Sequence, residues 1–554
     1  MPPTPTPPGS RNRLILGVLA LTQLLIWIDT TVLGAAFETL ADPERGLGAS
    51  PDELQWSAGS YTLVFATLMF VAGALGDRIG HRNMLVAGMV VFGAGSLWAA
   101  YPADAVQLVA ARGVMGLGSA LAVPATMALL TMTFTGEARA RAFGMFSMTA
   151  GVGLAAGPVL AGLLLEKFWW GSVFLVNVPI TITTTVAALL VIPNERGSAR
   201  RTFDLAGPLL SVAALGLLAY GLIRAGQVTA WDRPDVYLPV VAGLLLGVVF
   251  VRVELRLPQP SFDPRLFRDR TFSAGHAALG LVFLTLGAAS FTTVFYLQGV
   301  RGFSALEAGI VGLPAAAGVA LGAPPALKLV RRFSVRVVCS AALAVTALCT
   351  GAFALFDEHT PIAWFAASAL VQGLAIGMTI APVTAAVMSG LTAENAGAGS
   401  AVNGTVRQGG SLLGIAIGGT VLSVVYRDRI TPDLTDVPEP LRTDARVSAE
   451  FARHAAAAAD RPDIAHAADH AFLHAMHVTA VGAMAVTLLG ALVLKVGLPG
   501  ERSQPPATAS APRTGGDTAG AGTEAGSDVE ASASAGASAR TETSPGSGTA
   551  RDQS

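Results

Sequence analysis

Asp29 stands near the middle of the first apolar run, within Trp27-Ile-Asp29-Thr30-Thr31-Val32. A carboxylate at that depth is costly in hydrocarbon, so it must face a partner or a wet cavity. Buried carboxyls are also the groups best placed to exchange protons near neutral pH. Asp29 is therefore the first expected proton- or cation-contacting group, and a structural ion pair is the competing reading. Thr30 and Thr31 could hydrogen-bond the carboxylate or the backbone. Arg112, in Leu108-Val-Ala-Ala-Arg112-Gly-Val-Met115-Gly116, is a second deep charge. It does not neutralise itself by losing a proton, so it needs an acidic or carbonyl partner. Electrostatic coupling of Asp29 with Arg112 is expected, although no sequence pattern shows contact. Arg407, in Asn403-Gly404-Thr-Val-Arg407-Gln408-Gly-Gly410, is expected near the inner water boundary. It is read first as an interface or loop-pinning charge and second as a coupling group.

Other chemistries find little support. No nucleotide loop, metal motif or nucleophile elbow occurs, so neither an enzyme nor a bound cofactor is expected. His454, His466, His470, His474 and His477 match no compact metal-ligand spacing. Cys339 and Cys349 share one apolar segment and read as small core residues. A net charge of −1 carries no nucleic-acid signature.

The elements that must position these charges are membrane spans. The chain has 554 residues, 52% hydrophobic and 13% charged, where soluble domains carry about 25% charge. Repeated apolar runs of about 20 residues make it a polytopic, all-α membrane protein. Fourteen spans are expected, at roughly 14–36, 57–76, 84–100, 105–131, 140–163, 172–192, 206–224, 236–255, 272–297, 307–327, 336–356, 362–388, 403–424 and 474–496. Arg and Lys fall mainly in alternate connections, among them Arg78 and Arg82, Arg139 and Arg141, Arg200 and Arg201, and Arg331 and Arg332. The positive-inside bias then puts both termini in the cytoplasm of a plasma or inner membrane. Residues 426–472 form a long polar outer loop with a short helix expected near 446–460. Residues 1–13 and 499–554 have the composition of disordered cytoplasmic segments.

Two glycine patterns stand out. Gly73-Ala-Leu-Gly-Asp77-Arg78-Ile-Gly80-His81-Arg82 breaks a hydrophobic hairpin for one charged turn. Its charges mark the water boundary, and its glycines permit a sharp reversal. In the fifth span, Gly144, Gly153, Gly157, Pro158, Ala161 and Gly162 make a smooth face for close helix packing. Pro158 removes one backbone hydrogen bond and favours a bend.

Taken together these motifs resemble the major facilitator superfamily. The Gly73–Arg82 stretch is similar to that family's loop between helices 2 and 3, with His81 where Arg or Lys is usual. The spacing from Gly144 to Gly162 resembles the antiporter motif of its drug exporters, with Ala161 replacing one Gly. Trp27–Val32 and the Arg112 segment resemble further family stretches, although Gly34, Glu38 and Met115 depart from them. Trp170-Gly-Ser-Val-Phe174-Leu-Val-Asn177-Val-Pro179 looks like another, with Gly171 in place of Arg, and implies a structural helix start. Asn403 to Gly410 and the second-half motifs resemble the fourteen-helix drug:proton antiporters, over about residues 12–498.

The resemblance implies two six-helix halves, 14–192 and 272–498, with an inserted helix pair in 193–271. It implies a conformational latch at Gly73, Asp77, Arg78, Gly80 and Arg82. It implies proton-coupled export of small amphipathic compounds, cationic or zwitterionic, by a monomer in the lipid bilayer. Trp27, Tyr61, Phe65, Phe291, Phe295 and Met378 are cavity-lining candidates of low weight, each more often plain packing. A substrate-specific exporter is the runner-up, and a non-transporting receptor or scaffold the alternative from another class.

Overall fold

The computed structural model describes residues 10–193, 206–228, 232–257, 260, 263–389, 391, 396–439 and 441–498. All belong to one unit, Met1–Ser503. The expected disordered leader and tail fall largely outside these residues. The helices run in order as α1 (Ser10–Ala35), α2 (Phe37–Ala41), α3 (Pro51–Ile79), α4 (His81–Ala100), α5 (Ala105–Thr133) and α6 (Gly136–Lys167). Then follow α7 (Ser172–Leu175), α8 (Asn177–Val191), α9 (Ala206–Val228), α10 (Pro234–Arg256), α11 (Arg270–Val294) and α12 (Ala305–Phe333). The chain closes with α13 (Val335–Ala352), α14 (Ile362–Ser389), α15 (Ala396–Ile430), α16 (Leu441–Val447), α17 (Ala449–Ala458) and α18 (Pro462–Gly497).

The described residues contain no strand. Among them, twelve helical segments are long and apolar enough to cross a membrane. The 29-residue α3 and the 32-residue α6 stand at the second and fifth expected spans. Several spans are longer than the apolar pattern. α15 runs six residues past 424, and α18 begins at Pro462 instead of 474. The difference is physical: a helix continues into water beyond its hydrophobic section when its own caps and neighbours satisfy it, and hydropathy does not see that.

Local chemistry sets several of the helix starts. Ser50 and Glu53 form a capping box on α3, with Pro51 in its first turn. Ser304 and Glu307 repeat the box on α12. The Asp104 carboxylate accepts from the Gln107 amide at 2.7 Å, and Asp269 accepts from Phe272 at 2.7 Å. Each cap satisfies orphan N–H groups at the end of a span.

Helix α3 packs on α5 and α1 on α6, while α11 packs on α15 and α12 on α14. The first- and second-half helices meet mainly where α6 lies on α12 and α3 lies on α15. Helix α9 touches both α3 and α15, and α10 lies on α9. Of the pair expected to be inserted, α9 thus flanks the α3–α15 seam and α10 lies behind it. Leu244, Leu245 and Val248 of α10 are exposed, as expected of a face whose solvent is lipid.

The long connection between α15 and α18 is folded. After α15, a 3-10 turn at Thr431–Leu434 leads to α16 and α17. The Tyr426 hydroxyl donates to the Ala445 carbonyl at 2.9 Å, tying this segment to the end of α15. The short helix expected at 446–460 is therefore present as α17, with α16 before it.

Candidate functional site

Asp29 and Arg112 meet. Arg112 Nη1 donates to Asp29 Oδ2 at 2.7 Å, with the residues 2% and 1% exposed. Arg112 Nε also donates to the Ser57 carbonyl at 3.3 Å. The guanidinium lies 4.5 Å from the Tyr61 ring centre, and the Tyr61 hydroxyl pairs with Ser119 at 2.8 Å. A charged pair away from water survives only when its remaining hydrogen-bonding capacity is met, and these neighbours meet much of it. Met115, where Gln is usual, puts its sulfur 3.8 Å from Arg112 Nη1. A thioether is a weak acceptor, so this contact replaces a strong hydrogen bond with a soft one.

The sequence reading missed one member of this group. Asn177 Nδ2 donates to Asp29 Oδ1 at 3.1 Å and lies 3.2 Å from Ser96 Oγ. It is 1% exposed, at the first residue of α8. The signal is present in the Trp170–Pro179 stretch, whose pattern by itself implies only a structural helix start. A buried amide at a span's end needs a polar partner, and Asp29 is an acidic acceptor inside the first span.

The carboxylate therefore points into the first-half bundle. Thr30, the next residue, is exposed, and Thr31 is half-buried. Neither threonine bonds Asp29. Thr30 Oγ1 donates to the Trp27 carbonyl at 2.7 Å and Thr31 Oγ1 to the Ile28 carbonyl at 3.0 Å. Such back-bonding is how hydroxyls are satisfied within an apolar helix.

The small face of α6 meets the same turn of α1. A Cβ on Gly153 would stand 2.5 Å from the Trp27 Cβ, and one on Gly157 would overlap the Thr31 hydroxyl. Farther along α6, Gly162 lies against the Leu306 backbone of α12, and the Pro158 carbonyl faces Gly309. Helix α6 thus touches the Asp29 turn on one side and α12 on the other.

At the α3–α4 turn, Gly80 has φ 96° and its amide donates to the Gly76 carbonyl at 2.9 Å. That left-handed conformation needs glycine. Arg78 is exposed, and Arg82 lies 3.3–3.4 Å from the Asn83 side-chain oxygen. The side chains of Asp77 and the sites at Gly73 and Gly144 lie outside the described residues.

Of the low-weight cavity residues, Tyr61 and Phe65 are buried packing groups, whereas Phe291 and Phe295 line a cavity with Leu54, Leu422 and Phe472. Trp27, Phe295 and Met378 are half-buried. On the expected outer face, a charge cluster joins α2 to the folded loop. His454 Nε2 lies 3.6 Å from Asp42 and 3.1 Å from Glu450. Arg453 bridges Glu450 at 2.6 Å and Asp469 at 2.7 Å. Burial, then the nearby Glu450 carboxylate, pushes Glu38 up to about 8. Among the described residues, no three His, Cys, Asp or Glu groups gather as metal ligands.

The chain as a whole is similar to known proteins. The profile of the Major Facilitator Superfamily matches residues 19–415. The methyl viologen resistance protein SmvA of Salmonella typhimurium is 33% identical over 492 residues, 86% of this chain and 97% of that one. The multidrug efflux pump LfrA of Mycolicibacterium smegmatis is 31% identical over 89% of this chain and 98% of its own. The cephamycin export protein CmcT of Amycolatopsis lactamdurans is 34% identical over 72% of this chain and 83% of its own. Among solved structures, an inward-facing bacterial homologue of the human lysosomal transporter Spinster aligns with TM-score 0.62. It is 15% identical, covering 88% of this chain and 98% of that one, a likeness of fold.

Proposed function

The chain belongs to the major facilitator superfamily, and from that premise we propose that it is a proton-coupled exporter of small amphipathic compounds such as drugs or antibiotics. Relatives similar over most of their length carry the names of resistance and efflux proteins, which supports export. The observation that carries the coupling is the buried Asp29–Arg112 pair, held also by Asn177. A carboxylate with an arginine and an amide as partners has two settings. It is either ionised and paired or protonated and released. A conformational change that separates Asp29 from Arg112 alters its proton affinity, and only such differential affinity couples two ligands.

In the cycle, substrate enters a cleft between the halves from the cytoplasm or inner leaflet. Proton uptake from outside weakens its hold, and proton loss inside resets the carrier. Helix α6, touching both the Asp29 turn and α12, transmits the change between halves. The Gly73–Arg82 turn latches the cytoplasmic side. The carrier acts as a monomer in the plasma membrane, with both termini inside.

The test is ethidium efflux from proteoliposomes with and without an imposed pH gradient, for wild type and Asp29→Asn. Gradient-driven efflux lost in an inserted, folded Asp29→Asn protein supports the reading. Efflux indifferent to the gradient sinks proton antiport, and coupled efflux intact in the variant moves the proton site elsewhere. A narrower exporter is favoured if unrelated dyes fail to compete. One relative is named for the export of a single antibiotic class.

A further inference from the structure

Arg407, one turn into the thirteenth expected span, is a cation with no carboxylate partner among the described residues. It lies in α15, eleven residues beyond that helix's first, and is half-buried. Three faces of α15 are occupied around it. Thr405 Oγ1 donates to the Ala66 carbonyl of α3 at 3.0 Å. Gly410 and Gly414 lie against the α11 backbone at Gly280 and Leu284. Gly409 faces Leu215 of α9, and Thr420 Oγ1 donates to the Leu222 carbonyl of α9 at 2.7 Å. At about 100° per residue, Arg407 and Ser411 fall roughly opposite the α9 face, in the sector between α11 and α3. Helix α9 flanks one side of the α3–α15 seam, so this sector lies on the opposite side of α15, toward α11 and α3.

The Arg407 guanidinium lies 4.6 Å from the Phe283 ring centre of α11. No carboxylate stands within ion-pair distance of it among the described residues. The deep acid Asp29 is taken by Arg112, and Glu254 is carried by α10, beyond α9. Asn403, one turn before Arg407 on the same face, has a buried side-chain oxygen without a partner among the described residues. The two amide atoms are interchangeable by a flip, so this group can present either a donor or an acceptor to a ligand. A guanidinium stays charged, and a cation inside a membrane protein marks a ligand path unless it is paired.

We propose that Arg407, with Asn403 beside it and Phe283 beneath it, forms an anion-recognising subsite of the transport cleft, which takes the carboxylate of an aromatic, amphipathic substrate. The planar donor fork of Arg407 fits a carboxylate, and the Phe283 ring offers an apolar floor for the adjoining ring system. The inference rests on the exporter reading and narrows it from amphipathic compounds in general to those bearing an anionic group, zwitterions included.

Purified protein in phosphatidylcholine vesicles is titrated with rhodamine B, which has a free carboxylate, and with its ethyl ester, which lacks one. Wild type is expected to bind the acid at least tenfold more tightly than the ester, with the preference lost in Arg407→Gln and largely kept in Arg407→Lys. Melting temperatures within a few degrees of wild type certify that the variants are folded. Equal binding of the two dyes by wild type, or an unchanged preference in Arg407→Gln, overturns the subsite. A preference erased by adding phosphatidylglycerol assigns the anion site to lipid and overturns a substrate role. Gradient-driven ethidium efflux by wild type in the same vesicles distinguishes failure of the subsite from failure of the exporter reading.

Discussion

Asp29 Oδ2 lies 2.7 Å from Arg112 Nη1, across 83 residues of chain, with both side chains almost wholly out of contact with solvent. Removing one partner leaves the other buried and unpaired. Arg112→Ala is expected to cost about 3–5 kcal/mol of stability, because Asp29 then keeps only Asn177. The double change Asp29→Leu with Arg112→Met should cost less than Arg112→Ala alone. Thermal unfolding in detergent measures both, and a double variant less stable than the single one would contradict this account of the pair.

Asn177→Ala removes two hydrogen bonds, to Asp29 and to Ser96. A loss of about 1–3 kcal/mol is expected, since a buried carboxylate oxygen is left without its donor. Ser96→Ala removes only the outer link and should cost less. The ordering of the two melting temperatures decides the matter; the reverse order would mean that Asn177 serves Ser96 first.

Gly157 is expected to tolerate no larger residue while Thr31 keeps its hydroxyl, because the added Cβ would overlap it. Gly157→Ala should lower gradient-driven efflux at least tenfold with the protein still inserted. Adding Thr31→Ala should restore part of it. An absence of rescue would show that the α1–α6 approach is fixed by backbone contacts elsewhere.

The charge cluster between α2 and α17 gives a pH dependence whose direction follows from Glu38. Its carboxyl stands at about 8 in the docked arrangement, against 4.5 for the free group, through burial first and the Glu450 charge second. A raised pKa means that docking binds the proton. The stabilisation is complete below about pH 4.5 and is lost as pH rises through about 8. The charges of Arg453, Asp42 and Arg45 also act on Glu38, and His454 lies 3.6 Å from Asp42. Hydrogen exchange across 441–461, corrected for the intrinsic pH dependence, should therefore rise from pH 6 to pH 9 in wild type. The rise should be flatter in Glu38→Gln, and an identical rise in that variant would exclude Glu38 as its source.

Much of the architecture was written in the sequence because lipid permits few solutions. A buried backbone must close its own hydrogen bonds, so each apolar run of about 20 residues had to be a helix. The expensive residues were equally legible. Asp29 and Arg112 stand out in apolar runs whatever the fold, and the positive φ of Gly80 follows from a charged turn between two spans. The tertiary structure alone decided which of these groups meet. It put Asn177 on Asp29, directed that carboxylate into the first-half bundle and left Thr30 exposed. It also placed α9 on the α3–α15 seam with α10 behind it, and left Arg407 without a carboxylate among the described residues. Hydropathy records the cost of a side chain in hydrocarbon. It is blind to helix rotation and to long-range contacts, and those fix whether a deep charge is neutralised by the protein or left for a ligand.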